Sequence, residues 1–295
     1  MIQDKIKGVG VALITPFNNY KVDYPALECM VEHVINGSVD YIVALGSTAE
    51  TATLSIEERN DVLRYIIEQT AKRVPIVVGM GGNDTHQLVE QLRTFDLSGT
   101  VAILSVVPYY NKPSQEGIYR HFMAVAEASP VPVIIYNVPG RTGVNMTADT
   151  TLRLAKATDK IVAIKEACGN IEQMQAILDG RPDNFLVLSG DDGITVELVK
   201  RGGDGVISVA ANAFPEKFCQ CVHNAMVGNI TQAEGEMERL IEPINLLFRE
   251  GNPTGIKGMC ASMGITTPEV RLPLVEYTAE LKRDIEKAIT TYDLK

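Results

Sequence analysis

Short runs of apolar and β-branched residues recur along most of the chain. Eight such runs begin at Gly8, Tyr41, Val74, Thr100, Val131, Ile161, Phe185 and Asp204. Each run is almost continuously hydrophobic instead of alternating between apolar and polar residues, which is typical of parallel strands covered on both faces. The pattern therefore predicts eight strands of a parallel sheet.

Segments with helical periodicity lie between these runs. The segment after the first run ends at Gly37, a residue type that commonly terminates helices. The next segment begins at Ser55, three residues before Glu58, which is the spacing of a capping box. Because strand and helix continue to alternate, we predict a (β/α)₈ TIM barrel, an α/β fold, for residues 1–228.

The part of the chain that follows Asn229 has helical segments and no strand-like run. These segments are "TQAEGEMERLIEPINLLFRE", "PTGIKGMCASMG" and "LVEYTAELKRDIEKAITTY". We predict that residues 229–295 form a C-terminal helical extension packed on the barrel. The competing fold is an open doubly wound sheet, but eight similar units without an early G-x-G-x-x-G motif favour the barrel.

The composition limits the classes of partner. Of the 295 residues 45% are hydrophobic and 22% are charged, which is ordinary for a globular protein with a large core. The formal net charge is -10, so nucleic acids and anionic membranes are disfavoured as partners. An anionic substrate would need a site that creates its own positive field.

The N-terminus, the cysteines and the histidines suggest no catalytic or metal-binding group. The N-terminal "MIQDKIKGVG" lacks the apolar core of a signal peptide, and we expect a cytoplasmic protein. An odd number of cysteines without a C-x-x-C pair predicts free, buried thiols: Cys29, Cys168, Cys219, Cys221 and Cys260. The histidines fall in helical segments with no shared spacing, and we assign no metal to them: His33, His86, His121 and His223.

Polar residues collect where the predicted strands end, which in a barrel is the face that carries the active site. The strand ends read "GSTAE", "PYYNKPS", "YNVPGRTG", "KEACGN", "SGDDG" and "SVAAN". Turns and helix caps account for much of this polarity. They do not account for Tyr109, Tyr110, Tyr136, Arg141 and Lys165.

Lys165 ends a run that should be buried, and two interpretations are open. It could pair with a carboxylate or extend its ammonium group to solvent at the barrel mouth. Alternatively, desolvation could lower its pKa and leave a free amine that forms a Schiff base with a carbonyl, as in class I aldolases. By strand alternation Glu166 points to the opposite face and is a structural pair or cap.

The neighbours of Lys165 in the predicted site are also open to two interpretations each. Tyr136 is either a packed core tyrosine or a proton shuttle beside an imine. Arg141 is either a surface ion pair or a bidentate clamp for a carboxylate. Ser47 and Thr48 are either ordinary loop residues or a proton relay and a carboxylate-binding turn.

Taken together, these stretches resemble a known family. "GSTAET", "PYYNKPSQEGIYRHF", "YNVPGRTG", "IKEACGN", "LSGDD" and "GVISVAAN" are similar, in this order, to the motifs of the dihydrodipicolinate synthases. The resemblance extends from about Val11 to "NPTGIKGMC". The wider superfamily includes N-acetylneuraminate lyase and keto-deoxy sugar-acid aldolases, but "YNVPGRTG" and the doubled tyrosine of "PYYN" favour the synthases.

The resemblance implies a lyase that condenses pyruvate with L-aspartate 4-semialdehyde on the diaminopimelate route to lysine, with no cofactor. It implies that Lys165 forms the pyruvate imine. It implies proton relay by Tyr136, Ser47 and Tyr110, with Tyr110 reaching into a neighbouring subunit of a homotetramer built as a dimer of dimers. The implied substrate-binding residues are Thr48, Arg141, Gly190 and Ile207. The alternatives are another pyruvate-dependent aldolase and a non-catalytic pyruvate sensor.

Two departures from the family pattern have consequences. "GSTAE" stands where G-T-T-G-E is commoner; Ser47 keeps the hydroxyl, while Ala49 requires an ordinary backbone conformation. Some members bind lysine as an inhibitor, and the matching positions here are Ala52, Ile56, Arg59, Asn83, Gln87 and Tyr109. Because Gln87 lacks a negative charge and Arg59 adds a positive one, we predict weak or absent inhibition by lysine.

Overall fold

A computed structural model describes residues 1–294, and within them eight parallel strands close into a barrel. The strands are β1 (Gly8–Ala12), β2 (Tyr41–Ala44), β3 (Ile76–Gly79), β4 (Ala102–Val106), β5 (Val133–Asn137), β6 (Ile161–Glu166), β7 (Leu186–Ser189) and β8 (Gly205–Ser208). Each strand pairs with its neighbours in sequence, and Val9 of β1 closes the barrel on Val206 of β8. The predicted fold is confirmed, and the open sheet is excluded.

Helices cover the outside of the barrel. They are α1 (Tyr24–Asn36), α2 (Ile56–Thr70), α3 (Thr85–Thr94), α4 (Gln115–Ala128), α5 (Ala148–Ala157), α6 (Ile171–Gly180), α7 (Thr195–Lys200) and α8 (Pro215–Met226). The predicted capping box of Ser55 and Glu58 is present at the start of α2. The sequence pattern did not single out α3, because this helix buries only Leu88 and Leu92.

The core has two layers, and the strands contribute alternate residues to each. One cluster fills the barrel interior and includes Tyr41, Val43, Leu104, Ile134, Tyr136, Ala163, Leu188 and Ile207. The other cluster lies between strands and helices and includes Ile135 and Ile164. The pairing of β5 with β6 shifts by one residue between Val133 and Ile134, beyond which Tyr136 lies opposite Lys165.

Three helices follow the barrel: α9 (Ile230–Phe248), α10 (Thr254–Ser262) and α11 (Ala279–Thr291). The third predicted helix was extended too far, because the chain from Leu274 to Tyr277 is not helical. Helix α11 starts where the Thr278 hydroxyl accepts a hydrogen bond from the backbone N–H of Leu281, at 3.2 Å. The division of the chain at residue 228 stays a prediction.

The prediction that the cysteines are free thiols is correct, and the prediction that they are buried is partly wrong. All five cysteines are free thiols, but Cys29 is exposed and Cys168 is partly exposed. Cys29 lies on the outer face of α1, opposite the face formed by Leu27, Met30 and Val31. Within residues 1–294 no helix is both long enough and apolar enough to span a membrane.

Candidate active site

Lys165 lies inside the barrel, near the carboxyl end of β6. It is two residues beyond the interior residue Ala163, and it pairs with Tyr136 of β5 on one side and Leu188 of β7 on the other. Its Nζ atom is 4.4 Å from the centre of the Tyr136 ring. Lys165 is 5% exposed and takes part in none of the ion pairs formed within residues 1–294.

Burial and nearby charges set the protonation of this pair. Burial lowers the pKa of Lys165 to about 8, while the Asp192 carboxylate opposes this shift and the Arg141 guanidinium adds to it. Burial also raises the pKa of Tyr136, although the field of Arg141 lowers it. At neutral pH the neutral fraction of this lysine is therefore far larger than that of an exposed lysine, and the tyrosine beside it is protonated.

Glu166 faces the layer between strands and helices, as strand alternation predicted. Its carboxylate accepts hydrogen bonds from Asn137 Nδ2 at 2.9 and 3.0 Å, from Gln173 Nε2 at 3.0 Å and from the backbone N–H of Cys168 at 2.9 Å. Burial raises its pKa, and these hydrogen bonds oppose the rise. Glu166 is a structural cap outside the site.

The turn that follows β2 contains Ser47 and Thr48. Residues Ser47–Ala49 form one turn of 3₁₀ helix, in which Thr48 is buried and Ser47 is exposed. Two residues of the loop, Leu45 and Glu50, have a positive φ of 55°. Ala49 has no positive φ, so its predicted ordinary conformation is confirmed.

Arg141 and Thr48 are joined by a residue that the sequence analysis missed. Arg141 lies in the short helix Pro139–Thr142 and donates from its Nη2 atom to the carbonyl of Asn252 at 2.9 Å. Asn252 Nδ2 donates to Thr48 Oγ1 at 2.9 Å. The Asn252 Oδ1 atom is buried and accepts no hydrogen bond within residues 1–294. The only signal in the sequence was a polar residue in "GNPTG", well beyond the predicted barrel.

Asp192 is a second residue without a predicted role. It follows β7 and is buried, and its Oδ2 atom accepts from the backbone N–H groups of Val209 and Ala210 at 3.1 Å each. Burial raises its pKa to about 6, while hydrogen bonds from Ser208 and from these backbone groups oppose the rise. The second acid of "SGDDG" marked this position, but turn formation explained it equally well.

Of the two residues predicted to line the pocket through their backbones, one lies just after β7 and the other lies in the neighbouring β8. Gly190 follows β7, and its N–H donates to the carbonyl of Glu166 at 2.7 Å. A Cβ atom at Gly190 would lie 2.5 Å from that of Ala167, so close packing requires glycine. Ile207 belongs to the interior cluster that contains Tyr136.

The structure brings together some of the predicted residues and not others. Lys165 contacts the ring of Tyr136, and the charge of Arg141 lowers the pKa of Lys165. Asn252 connects Arg141 to Thr48 through two hydrogen bonds. Ser47 and Tyr110 form no side-chain hydrogen bond with another residue of the 294 described. Tyr110 is 87% exposed and has a φ of 71°. The functional roles of all these residues stay predictions.

The predicted regulatory positions are exposed or partly exposed. Asn83 Nδ2 donates to the carbonyl of Tyr109 at 3.2 Å, whereas Ala52 and Gln87 are exposed. A neighbouring cavity of about 160 Å³ contains no acidic residue in its lining: Leu45, Thr51, Ile56, Arg59, Asn60, Gly79, Met80, Gly81, Gln91, Thr94 and Phe95. Arg59 donates to the carbonyls of Leu54 at 3.2 Å and Thr51 at 2.9 Å. The prediction of weak lysine inhibition is untested.

Across the described part of the chain no group of three or more histidine, cysteine, aspartate or glutamate residues is placed to share a metal ion. Whether the protein works without a metal or organic cofactor stays a prediction.

Comparison with known proteins places the chain in a family. The sequence profile described as "Dihydrodipicolinate synthetase family" matches residues 5–292. The 4-hydroxy-tetrahydrodipicolinate synthase of Phocaeicola vulgatus is 51% identical over 276 residues, which cover 93% of each chain.

Solved structures agree with this match. The dihydrodipicolinate synthase of Acinetobacter baumannii, described as chloride-inhibited and complexed with pyruvate, has a TM-score of 0.95 at 38% identity, covering 98% of this chain and 100% of that one. A dihydrodipicolinate synthase variant described as monomeric has a TM-score of 0.96 at 32% identity, covering 99% of each. The chain therefore belongs to the dihydrodipicolinate synthetase family.

Proposed function

We propose that the protein is a lyase that condenses pyruvate with L-aspartate 4-semialdehyde through a Schiff base on Lys165, giving 4-hydroxy-tetrahydrodipicolinate on the diaminopimelate route to lysine. The observation that carries the proposal is a buried lysine that forms no ion pair, in contact with a buried tyrosine, at the mouth of a barrel of this family. The relative from Phocaeicola vulgatus is named for this reaction product.

The first step is imine formation. The neutral amine of Lys165 attacks the ketone carbon of pyruvate, and the carbinolamine loses its hydroxyl as water. Burial supports this step because it lowers the pKa of Lys165 to about 8 and so exposes the nitrogen lone pair. Tyr136, whose hydroxyl stays protonated at neutral pH, supplies a proton to the departing hydroxyl.

The second step forms the carbon–carbon bond. Loss of a proton from the pyruvate methyl group converts the iminium ion to an enamine, whose carbon attacks the aldehyde of the second substrate. Thr48 holds the pyruvate carboxylate, and the guanidinium of Arg141 binds the carboxylate of the semialdehyde. The aldehyde oxygen takes up a proton through the relay of Tyr136, Ser47 and Tyr110.

The last step releases the enzyme. The amino group that came from the semialdehyde attacks the imine carbon, displaces the Lys165 nitrogen and closes the ring. Holding both substrates at one site supplies a large part of the acceleration, and proton relay adds roughly 10²–10⁴-fold. The residues named here carry every step without a metal or an organic cofactor.

The proposal also covers the oligomeric state and the cellular location of the protein. Tyr110 and its neighbour Tyr109 are 87% and 41% exposed, and exposed aromatic pairs of this kind favour a protein interface. We propose a cytoplasmic homotetramer, built as a dimer of dimers in which Tyr110 enters the partner's relay. Light scattering after gel filtration tests the assembly, and a monomer that retains full activity would contradict it.

Borohydride reduction in the presence of pyruvate tests the proposed chemistry. The reduced adduct should appear on the peptide that contains Lys165 and depend on pyruvate. The peptide that contains Lys257 is an internal control, because this second lysine is buried and already ion-paired. A folded protein that is unmodified at Lys165 would refute the Schiff-base mechanism. Assays of sugar-acid cleavage distinguish the synthase from other pyruvate aldolases.

A further inference from the structure

A second cluster of buried charges lies outside the site described above. Lys257 of α10 is fully buried and forms an ion pair with Glu50, which is also buried. Its Nζ atom donates to the carbonyl of Glu269 at 2.9 Å and lies 4.0 Å from the centre of the Phe17 ring. The proposed reaction uses neither member of this pair.

Glu50 directly follows the turn that carries Ser47 and Thr48. Both of its carboxylate oxygens are engaged, one by Lys257 and the other by the backbone N–H of Arg271 at 2.9 Å. Its backbone is left-handed, with a φ of 55°. Such a conformation is unfavourable for a residue with a Cβ atom and persists where the surroundings impose it. The backbone of Glu50 also bonds locally, with Ser47 and Thr53, but only its side chain connects this residue to the extension.

The same segment of the extension contacts the turn at a second point. Asn252 lies five residues before Lys257, and its side chain donates to Thr48 Oγ1 at 2.9 Å. One contact therefore fixes the hydroxyl of Thr48, and the other fixes the backbone two residues later. The turn is held by a part of the chain more than 200 residues away.

We infer that Glu50 and Lys257 are positioning residues for the substrate-binding turn. The pair anchors the C-terminal end of Ser47–Ala49 to the extension, so that Thr48 is held in the orientation that receives the pyruvate carboxylate. This inference rests on the proposed function, because it assigns the turn to pyruvate binding. It makes α10 part of the catalytic apparatus and not only a cover for the barrel.

A purely structural role would be a poor explanation for a charged pair at this place. Buried ion pairs contribute little net stability compared with apolar residues of similar volume. What a carboxylate adds is direction, because it accepts two hydrogen bonds at defined angles from two different segments. Directional bonds are required where a neighbouring turn must bind a ligand in a fixed geometry.

The test compares two glutamates that differ in their distance from the turn. Glu50→Gln removes the anchor and keeps the shape of the side chain. Glu58→Gln is the matched control, because Glu58 also pairs with a cation of the extension, Arg271, but lies in α2 beyond the turn. Both proteins are titrated with pyruvate, reduced with borohydride and read by the fraction of Lys165 that carries the adduct. Thermal unfolding is measured separately on each variant.

In Glu50→Gln the half-saturating pyruvate concentration should rise about tenfold or more, as expected for one misplaced hydrogen bond to a carboxylate. The adduct at saturating pyruvate should stay near that of the unmodified sequence. In Glu58→Gln the half-saturating concentration should stay within about twofold, since Glu58 accepts from the guanidinium of Arg271 and not from the backbone N–H that holds Glu50.

Equal shifts in the two variants, or no shift in Glu50→Gln, would overturn the inference while the Lys165 adduct of the unmodified protein still supports the proposed function. No adduct in the unmodified protein overturns both. If Glu50→Gln does not fold, the double variant Glu50→Gln/Lys257→Met, which has no unpaired charge, is judged by the same pyruvate titration.

Discussion

Two buried lysines with similar acidity lie in different parts of the molecule. Burial lowers the pKa of Lys165 in the barrel and of Lys257 in the extension to about 8 in both cases. Lys257 contacts a carboxylate and a carbonyl, whereas Lys165 contacts the face of a tyrosine ring. A lowered pKa therefore does not identify a nucleophile; the absence of an ion pair distinguishes Lys165 from Lys257.

The largest contrast is expected from replacing each lysine by methionine. Lys165→Met should abolish condensation, by at least roughly 10³-fold, because no other amine can form the imine. The stability of this variant should not fall, because the buried ammonium group of Lys165 destabilises the folded state. This destabilisation is fully present below pH 8. Steady-state rates and thermal unfolding measure the two effects. A variant that keeps activity would remove Lys165 from the mechanism.

Lys257→Met should instead lower stability. It leaves Glu50 buried without its cation, which typically costs about 3–5 kcal/mol of unfolding free energy. Urea unfolding curves measure this loss. Glu50→Gln/Lys257→Met should regain most of that stability, because neither remaining side chain is charged. If the single variant is as stable as the unmodified protein, the ion pair is not a structural element.

Tyr136→Phe tests whether the hydroxyl group of Tyr136 transfers protons beside Lys165. The ring and its packing remain, while the hydroxyl that transfers protons is lost. The turnover rate should fall by roughly 10²–10⁴-fold, and adduct formation should become slower but still reach completion. Rapid-quench borohydride trapping separates the rate from the extent of adduct formation. An unchanged rate would leave Tyr136 with only a packing role.

The smallest expected effect is a change in pH dependence. The rate of imine formation should rise with pH to a plateau above about pH 8, because the neutral amine is the reactive form. Asp192→Asn should move the midpoint down and Arg141→Gln should move it up, since these residues raise and lower the pKa of Lys165 respectively. Initial trapping rates against pH give the midpoints. Shifts in the same direction would contradict the proposed electrostatics.

The sequence pattern predicted the fold well because each strand is buried on both faces and bounded by turns. It predicted Lys165 and Tyr136 as neighbours because both end consecutive strands. It could not predict Asn252 or Lys257, whose contacts depend on how the extension folds back over more than 200 residues. The unpaired state of Lys165 likewise required the positions of all surrounding carboxylates, since a local sequence cannot exclude a distant partner.

The alternation along β6 makes the enzyme sensitive to errors in strand pairing. Lys165 and Glu166 are adjacent, yet one faces the barrel interior and the other faces the hydrogen-bonding layer of Asn137 and Gln173. A slip of one residue against β5 would put a carboxylate in the pyruvate site and an ammonium group opposite the amide and backbone N–H donors that now bind the Glu166 carboxylate. A misregistered barrel would be inactive, so pyruvate trapping also reports whether a refolded or redesigned chain has adopted the native pairing.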